Sequence, residues 1–539
     1  MVRLYHPHGF DDALSFAALR VTKVLDDRQT FVTCPISSVH TGGGLIRVRE
    51  RLADSCHPAA DIPLLPVGSG LALAWLVFTT VECRGAGGDL LHQIVREGLP
   101  VFLDQLEAAE RSVPRFVLRE LERFVACGDV AHGFAWLHCA DCDHHRLVPF
   151  SCKGRGFCPS CGGRRMADRA AHLIERVLPE VGVRQWVLTV PWGRRFLLAR
   201  RPLLVRGVLG IAKKEIFGWY RDELAGRGLA GGQTGSVTVV QRFGSALRLN
   251  VHFHMLVLDG CYVEGVDGAV RFHRAHPPST ADVEELVTRI SMGVERWLAV
   301  QGHGGDEDVD PDPDDGQELV QAASVAGRTG LGRRAGRRTR RVVLLGGREY
   351  ALPARCGVFE GYNLHAAVSV GPRDRAGLER LARYVCRPAL AKSRLERRHD
   401  GQVVLKMKRA WSDGTTAMVF SPAEFVSRLV ALVPPPRKNT VLYHGVLAPN
   451  AALRSRVIPR AEPASETESQ ALVSPERRTR HRRRRRTWSE LLMRVFGIDG
   501  WLCPHCEKPM RLRVPMVEPP ATHKILADLA RSARGPPSR

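Results

Sequence analysis

Two histidines one residue apart, His252 and His254, stand inside the apolar run LNVHFHMLVLDG (Leu249–Gly260). A strand alternates its faces, so both imidazoles project to one side with Leu256 and Leu258, while Val251, Phe253, Met255 and Val257 fill the other. Such a pair is either two core histidines, each satisfied by a hydrogen bond, or the start of a metal site. Upstream, Cys139 and Cys142 form one C-x-x-C knuckle, and Cys158 and Cys161 form a second after fifteen intervening residues. Each knuckle aims two thiolates at one point, and two knuckles supply the tetrahedral four-sulfur shell that structural zinc prefers. The spacing predicts a zinc site of Cys139, Cys142, Cys158 and Cys161. Cys127, Cys152, His138, His144 and His145 are spare donors, so a second ion or exchanged ligands stay open. A third knuckle, Cys503 and Cys506 in WLCPHCEKPMRL, cannot close a shell unless His505, a distant side chain or a second protomer contributes.

The partner is legible in the charge. The 539 residues carry 79 Lys+Arg against 56 Asp+Glu, a net +23, which favours a polyanion and above all nucleic acid. Lys153, Arg155, Arg164, Arg165 and Arg169 surround the second knuckle, as a DNA-docking surface would require; a purely structural zinc with a solvated face is the alternative. Hydrophobic residues make up 44% of the chain, as in a globular soluble protein, and its length implies two to four units. The cysteines fall in knuckles and scattered singles with no secretory signal ahead of them, which suits thiolates in a reducing cytosol. Ile62–Val81 is uncharged and long enough to span a membrane, but Pro63, Pro66, Gly68, Ser69 and Gly70 dilute it. A buried or irregular segment is expected there rather than a span.

The elements that must hold these residues can be outlined. Helical spacing begins after Gly88 and recurs over Ser112–Gly128, with Pro114 at the entry and Gly128 at the stop. A helix is expected over about Arg164–Leu178, then strands in RQWVLTVPW (Arg184–Trp192) and in the histidine segment. Leu378, Leu381, Ala382 and Val385 mark a helix from near Asp374 to Pro388 that carries Tyr384 among Arg380, Arg383 and Arg387. Between Val263 and Arg355 the pattern loosens into an acidic run, GHGGDEDVDPDPDDGQ, and a basic one, GRRAGRRTRR (Gly332–Arg341), read as loops or a phosphate-contacting arm. A linker follows over residues 461–487, ending in Arg482–Arg486.

This text resembles the rolling-circle (HUH) transposases of the insertion sequence 91 type over roughly residues 86–530. The resemblance rests on PRFVLRELERFVACG, FSCKGRGFCPSCGGRRMADRAAHL, RQWVLTVP, QRFGSALRLNVHFHMLVLDG, LERLARYVCRPALA, KRAWSDGTTAMVF, VPPPRKNTVLYHGVLAPN and VFGIDGWLCPHC, in that order. It implies that His252 and His254 are metal ligands and that Tyr384 is the nucleophile. Some relatives have Y-x-x-x-Y, whereas here Arg380 stands four residues before Tyr384, as in a single-tyrosine branch. The implied fold is α+β: a helical, zinc-ribbon-like domain (86–180), then an HUH nuclease of antiparallel sheet with flanking helices (181–460, insertion about 263–355). A C-terminal unit (488–539) follows, and residues 1–85 have no assignment. Structural zinc and a catalytic magnesium or manganese ion are implied. The third ligand of that ion is expected to be His365 in YNLHAAVSV, or failing that Gln241 in VVQRFG. Arg155, Arg164, Arg165, Arg380, Arg383 and Arg387 are the expected DNA contacts. The implied activity is nicking and rejoining of single-stranded element ends in a bacterial cytoplasm, associated with the nucleoid, with no small-molecule substrate and no membrane. The rival readings are a rolling-circle replication initiator or relaxase, and a non-catalytic DNA-binding remnant of a decayed element.

Overall fold

The computed structural model describes residues 89–304, 311–344, 352–458, 499–516 and 522. The extension 1–85 with its Ile62–Val81 stretch and the whole linker 461–487 with its Arg482–Arg486 run lie outside the described residues. Two helices open the chain, α1 (Leu90–Glu107) and α2 (Arg115–Val125), followed by the hairpin β1 (Phe134–His138) and β2 (His145–Pro149). Helix α3 (Pro159–Arg176) begins with proline in its first turn, where a missing N–H costs nothing, immediately after Cys158.

Next come β3 (Val183–Thr189), α4 (Trp192–Arg200), α5 (Pro202–Ala225), β4 (Gly235–Phe243), β5 (Leu249–Leu258), β6 (Gly260–Glu264) and β7 (Val270–Arg274). The region whose pattern looks loose is largely ordered. It holds α6 (Thr280–Val300), started by a Ser279–Asp282 capping box, and α7 (Gly316–Val325), capped by Asp315. The strand β8 (Arg340–Val343) lies in the basic run, and Arg334 and Arg340 both pair with Glu424, so these arginines brace the fold rather than form a free arm. The chain continues through β9 (Cys356–Phe359), β10 (Tyr362–Val370), α8 (Arg375–Val385), β11 (Leu395–Arg397), β12 (Val403–Lys406), β13 (Thr415–Phe420), α9 (Pro422–Leu432), β14 (Val441–Gly445), α10 (Arg454–Val457) and β15 (Arg511–Met516).

The centre is a six-stranded antiparallel sheet in the order β14-β4-β5-β3-β10-β9. Its two faces have different covers, as the alternation in β5 requires. Phe253, Met255 and Val257 enter one core with Trp186 and Leu188 of β3 and residues of α4, α5 and α6. Leu256 and Leu258 enter a second core with Val237 and Val239, Leu173 and Ile174 of α3, and Leu378 and Leu381 of α8. Arg375 fastens α8 to the end of α3 by donating to the Leu178 and Pro179 carbonyls at 3.2 and 3.3 Å. A smaller sheet, β11-β12-β13-β8, packs with α9 and α1, and β15 joins β1 and β2 in a three-stranded sheet. The protein is therefore α+β, with antiparallel sheets and flanking helices. Among the described residues no helix is long and apolar enough to cross a membrane.

A buried ion pair ties the first core together. Arg184 donates to both oxygens of Asp259 at 2.8 and 2.9 Å and to the Ala366 carbonyl at 2.9 Å, and Tyr220 adds its hydroxyl to Asp259 at 3.0 Å. Both charged residues are almost fully enclosed, so removing one strands the other without solvent. We predict that Asp259→Ala destabilises the fold by about 3–5 kcal/mol, read as a lower urea midpoint at unchanged slope.

Candidate metal and nucleic-acid sites

His252 and His254 lie on the face covered by α3 and α8, beyond the point where Leu256 and Leu258 meet those helices. Both are buried, and their Nε2 atoms stand 3.1 Å apart. Adjacent ligands of an octahedral ion, each about 2.1 Å from it, stand about 3.0 Å apart, so the spacing suits one shared divalent cation. The Asn250 carbonyl accepts the Nδ1–H of His252 at 2.9 Å, which leaves its Nε2 lone pair free. At His254, Nδ1 meets the Gln185 amide nitrogen at 2.7 Å, so Nε2 carries the proton and donates to His252. A half-turn of the Gln185 amide brings its oxygen to Nδ1 and frees the second lone pair. Burial holds the His252 imidazole down to about 4, opposed by its bond to Asn250 and reinforced by Arg387 and Arg195. Burial, then His252 and Arg387, hold His254 lower still, so both rings are neutral ligands at pH 7.

The two expected candidates for a third donor stand at different distances from the pair. His365 pairs in register with Val187, which pairs with His254, so His365 shares the face but lies two strands away, roughly 9–10 Å across the sheet. Gln241 instead sits directly opposite His252 on the neighbouring strand. Its amide nitrogen donates to the Val385 carbonyl at 2.6 Å, and its buried oxygen has no hydrogen-bond partner. A stranded amide oxygen beside two imidazoles has the chemistry of an oxygen donor to a hard divalent cation, which makes Gln241 a candidate third ligand. The sequence ranking placed His365 first because spacing does not show which strands are neighbours.

Helix α8 brings Tyr384 to this pair. Asp374 caps the helix by accepting the Gly377 N–H at 2.6 Å, and the Tyr384 ring centroid stands 5.8 Å from that of His254, edge to face. The Tyr384 side chain is 47% exposed, so the hydroxyl is open to a large substrate. Arg387 lies over its ring at 4.2 Å and donates to its carbonyl at 3.0 Å. The other expected DNA contacts separate. Arg155 and Arg165 lie with Arg387 around one cleft, whereas Arg164 donates to the Cys161 sulfur at 3.7 Å. Arg380 and Arg383 pair with Asp374 and Glu379 on their own helix. Gln185, within the RQWVLTVP stretch, and Arg195, in no quoted motif, hold and tune the histidines, and neither was given a role from the sequence.

The cysteines form two clusters, and neither is the expected set. Cys127, Cys152, Cys158 and Cys161 gather in one, with Sγ–Sγ separations of 3.8, 3.9 and 3.3 Å for the pairs 127–158, 127–161 and 152–161. Cys139 and Cys142 gather instead with Cys503 and Cys506, at 3.4 Å for 139–506 and 3.5 Å for 142–503. Zinc–sulfur bonds of about 2.3 Å in a tetrahedron hold sulfurs about 3.8 Å apart, so each cluster fits one zinc ion. The physical reason for the exchange is the hairpin. It carries the first knuckle at its tip, about 17 Å along β2 from the second knuckle's end of the module. At that base Cys127, held down to about 7 by hydrogen bonds from Cys152 and Cys158, completes the other set. At the tip β15 pairs with β1 and delivers Cys503 and Cys506, so the C-terminal knuckle is not a separate unit.

Two family models match the chain: one described as "putative transposase" over residues 235–455, and one described as a transposase zinc-binding domain over residues 95–190. Comparison with curated proteins and with solved structures found no match. The first model spans β4, β5 and α8, and so His252, His254, Gln241 and Tyr384; the second spans the Cys127 cluster and the hairpin knuckle. The zinc chemistry of the second fits the sulfur clusters, and the two matches follow in the order in which the sequence resembles that family. Together the two matches are consistent with a transposase of the insertion sequence 91 family.

Proposed function

We propose that this transposase cuts and rejoins single-stranded DNA through a covalent phosphotyrosine, in an HUH-type nuclease built on the central sheet. The observation that carries the reading is the meeting of Tyr384 with His254 beside His252 and the unpartnered Gln241 oxygen. In the proposed step the Tyr384 oxygen attacks the scissile phosphorus in line with the 3′ oxygen. The new bond joins Tyr384 to the 5′ phosphate, the P–O3′ bond breaks, and the phenolic proton passes to solvent while the 3′ oxygen leaves as a hydroxyl. The phosphotyrosine keeps the energy of the broken ester, so a later 3′ hydroxyl can reverse the step at a new site. His252, His254 and Gln241 would hold a magnesium or manganese ion, which would supply charge stabilisation to the reacting phosphate. The chain's own contribution is orientation: α8 fixes the Tyr384 backbone, Gln185 and the Asn250 carbonyl fix the imidazoles, and Arg387 holds positive charge against the ring. Having one tyrosine, the site works without two alternating nucleophiles, which suits the single-tyrosine branch. A replication initiator or relaxase shares this chemistry, but the zinc module packed against the nuclease favours a transposase.

The test is a denaturing gel with end-labelled single-stranded DNA from the element's ends and either metal. A covalent band is expected with the wild type and none with Tyr384→Phe; a band retained by the phenylalanine variant would assign the nucleophile elsewhere, and intact binding with no band at all would leave a binding-only protein. We further predict that His252→Ala with His254→Ala lowers cleavage by at least about a hundredfold, while filter binding of the same DNA changes little because arginines supply the affinity. For the sulfur clusters, elemental analysis should find two zinc ions per chain. Cys503→Ser should remove one and leave the other, and loss of both or neither would contradict the two ligand sets.

A further inference from the structure

A cleft of about 100 Å³ runs between the zinc-binding module and the edge of the nuclease sheet. Arg155 and Arg165 from the loop and helix around the second knuckle line it, with Arg169 of α3, Arg387 after α8, and Gln241 of β4. Gln241 belongs both to this lining and to the row that holds His252, so the cleft opens directly beside the catalytic face. Its walls stand close together by necessity: a Cβ on Gly162 would lie 2.7 Å from the Pro388 side chain, so α3 approaches the end of α8 only with glycine there.

The charge in this cleft is only partly neutralised from within. Arg155 donates to the Lys438 carbonyl, and Arg165 donates to the Lys153 and Gly154 carbonyls at 3.0 and 2.9 Å. These bonds orient the guanidiniums without cancelling their charge. Glu120, whose carboxylate accepts the Gly156 N–H at 2.6 Å, offsets part of the Arg155 charge and leaves Arg165 and Arg169 without a carboxylate partner among the described residues. Arg169 makes no hydrogen bond or ion pair among the described residues, although burial and the neighbouring Arg165 and Arg155 disfavour its charge. Two half-buried guanidiniums, Arg165 and Arg169, beside the exposed Arg155 and with a fourth on the tyrosine, repel one another unless an anion bridges them.

We propose that this cleft binds one backbone phosphate of the DNA strand, adjacent to the scissile phosphate, with Arg169 and Arg165 as its principal contacts. The proposal rests on the single-strand cleavage reading above and gives the zinc module a further role, as one wall of the nuclease site rather than a docking domain apart from it. A phosphodiester carries one negative charge and two acceptor oxygens, which suits two forked donors one helical turn apart on α3, with Arg387 lining the other side of the cleft. Fixing that phosphate would hold the strand in register with Tyr384.

The experiment uses full-length Tyr384→Phe protein, so that the strand stays intact, and single-stranded oligonucleotides in which one linkage at a time is an uncharged methylphosphonate. Fluorescence anisotropy should reveal one position near the nick at which neutralisation weakens binding about tenfold, the worth of one charge-assisted contact. In Arg169→Ala the same substitution should cost less than about twofold, since that contact is already gone, and Arg169→Lys should restore most of the loss. Retained zinc content and circular dichroism in Arg169→Ala exclude a folding defect, and Arg165→Ala gives an independent copy of the test. Losses that add in full at every position, or a flat methylphosphonate profile, would overturn the subsite. Failure of the cleavage reading would show differently, as position-specific coupling to Arg169 with no covalent adduct from the wild type.

Discussion

The register of β4, β5 and β3 is the constraint on which the site depends. Because side chains alternate, a pairing slipped by one residue would turn His252 and His254 into the α4–α5 core and carry Phe253 outward. The apolar residues on both faces of β5 prevent this: Phe253, Met255 and Val257 have one core to fill, Leu256 and Leu258 the other. The same register sets Gln241 across from His252 and Gln185 within reach of His254. The packing energy of two cores thus maintains an arrangement of polar groups that would be costly to bury by itself.

Helix α8 is the second half of that constraint. Its apolar stripe shares a core with α3, which starts at the second knuckle of the zinc module and ends beneath Arg375. The Cys127 cluster therefore anchors the beginning of the helix against which the tyrosine helix lies. The other cluster works over a longer span, joining the hairpin tip to residues more than three hundred positions later and adding β15 to the module's sheet. Zinc in that cluster would hold the chain's C-terminal part to its N-terminal module, so metal affinity and domain arrangement become one equilibrium.

Much of this was legible in the sequence, for identifiable reasons. H-x-H in an apolar strand, Tyr384 on a stripe-bearing helix, and the clustered cysteines are local patterns, and local patterns report local geometry. The choice of sulfur partners was not local: C-x-x-C knuckles announce thiolate pairs but not which pairs meet, and the hairpin and β15 decide that. His365 was ranked ahead of Gln241 for the same reason, since only strand order shows that Gln241 lies beside His252 and His365 two strands from His254. The region 263–355 appeared loose because its acidic and basic runs interrupt the periodicity, although α6 and α7 bury full apolar faces beside those runs. Fold class was recoverable from the elements and the resemblance; side-chain partnerships across distant segments were not.

The central claim is that Tyr384 is the residue joined to DNA. Wild-type protein incubated with single-stranded element ends and manganese, then digested with nuclease and protease, gives peptides whose attached nucleotide can be located by mass spectrometry. The account predicts a 5′-phosphorylated nucleotide on Tyr384 in the peptide from α8. A nucleotide on another residue, or unmodified Tyr384 in protein that has cut its DNA, would contradict it.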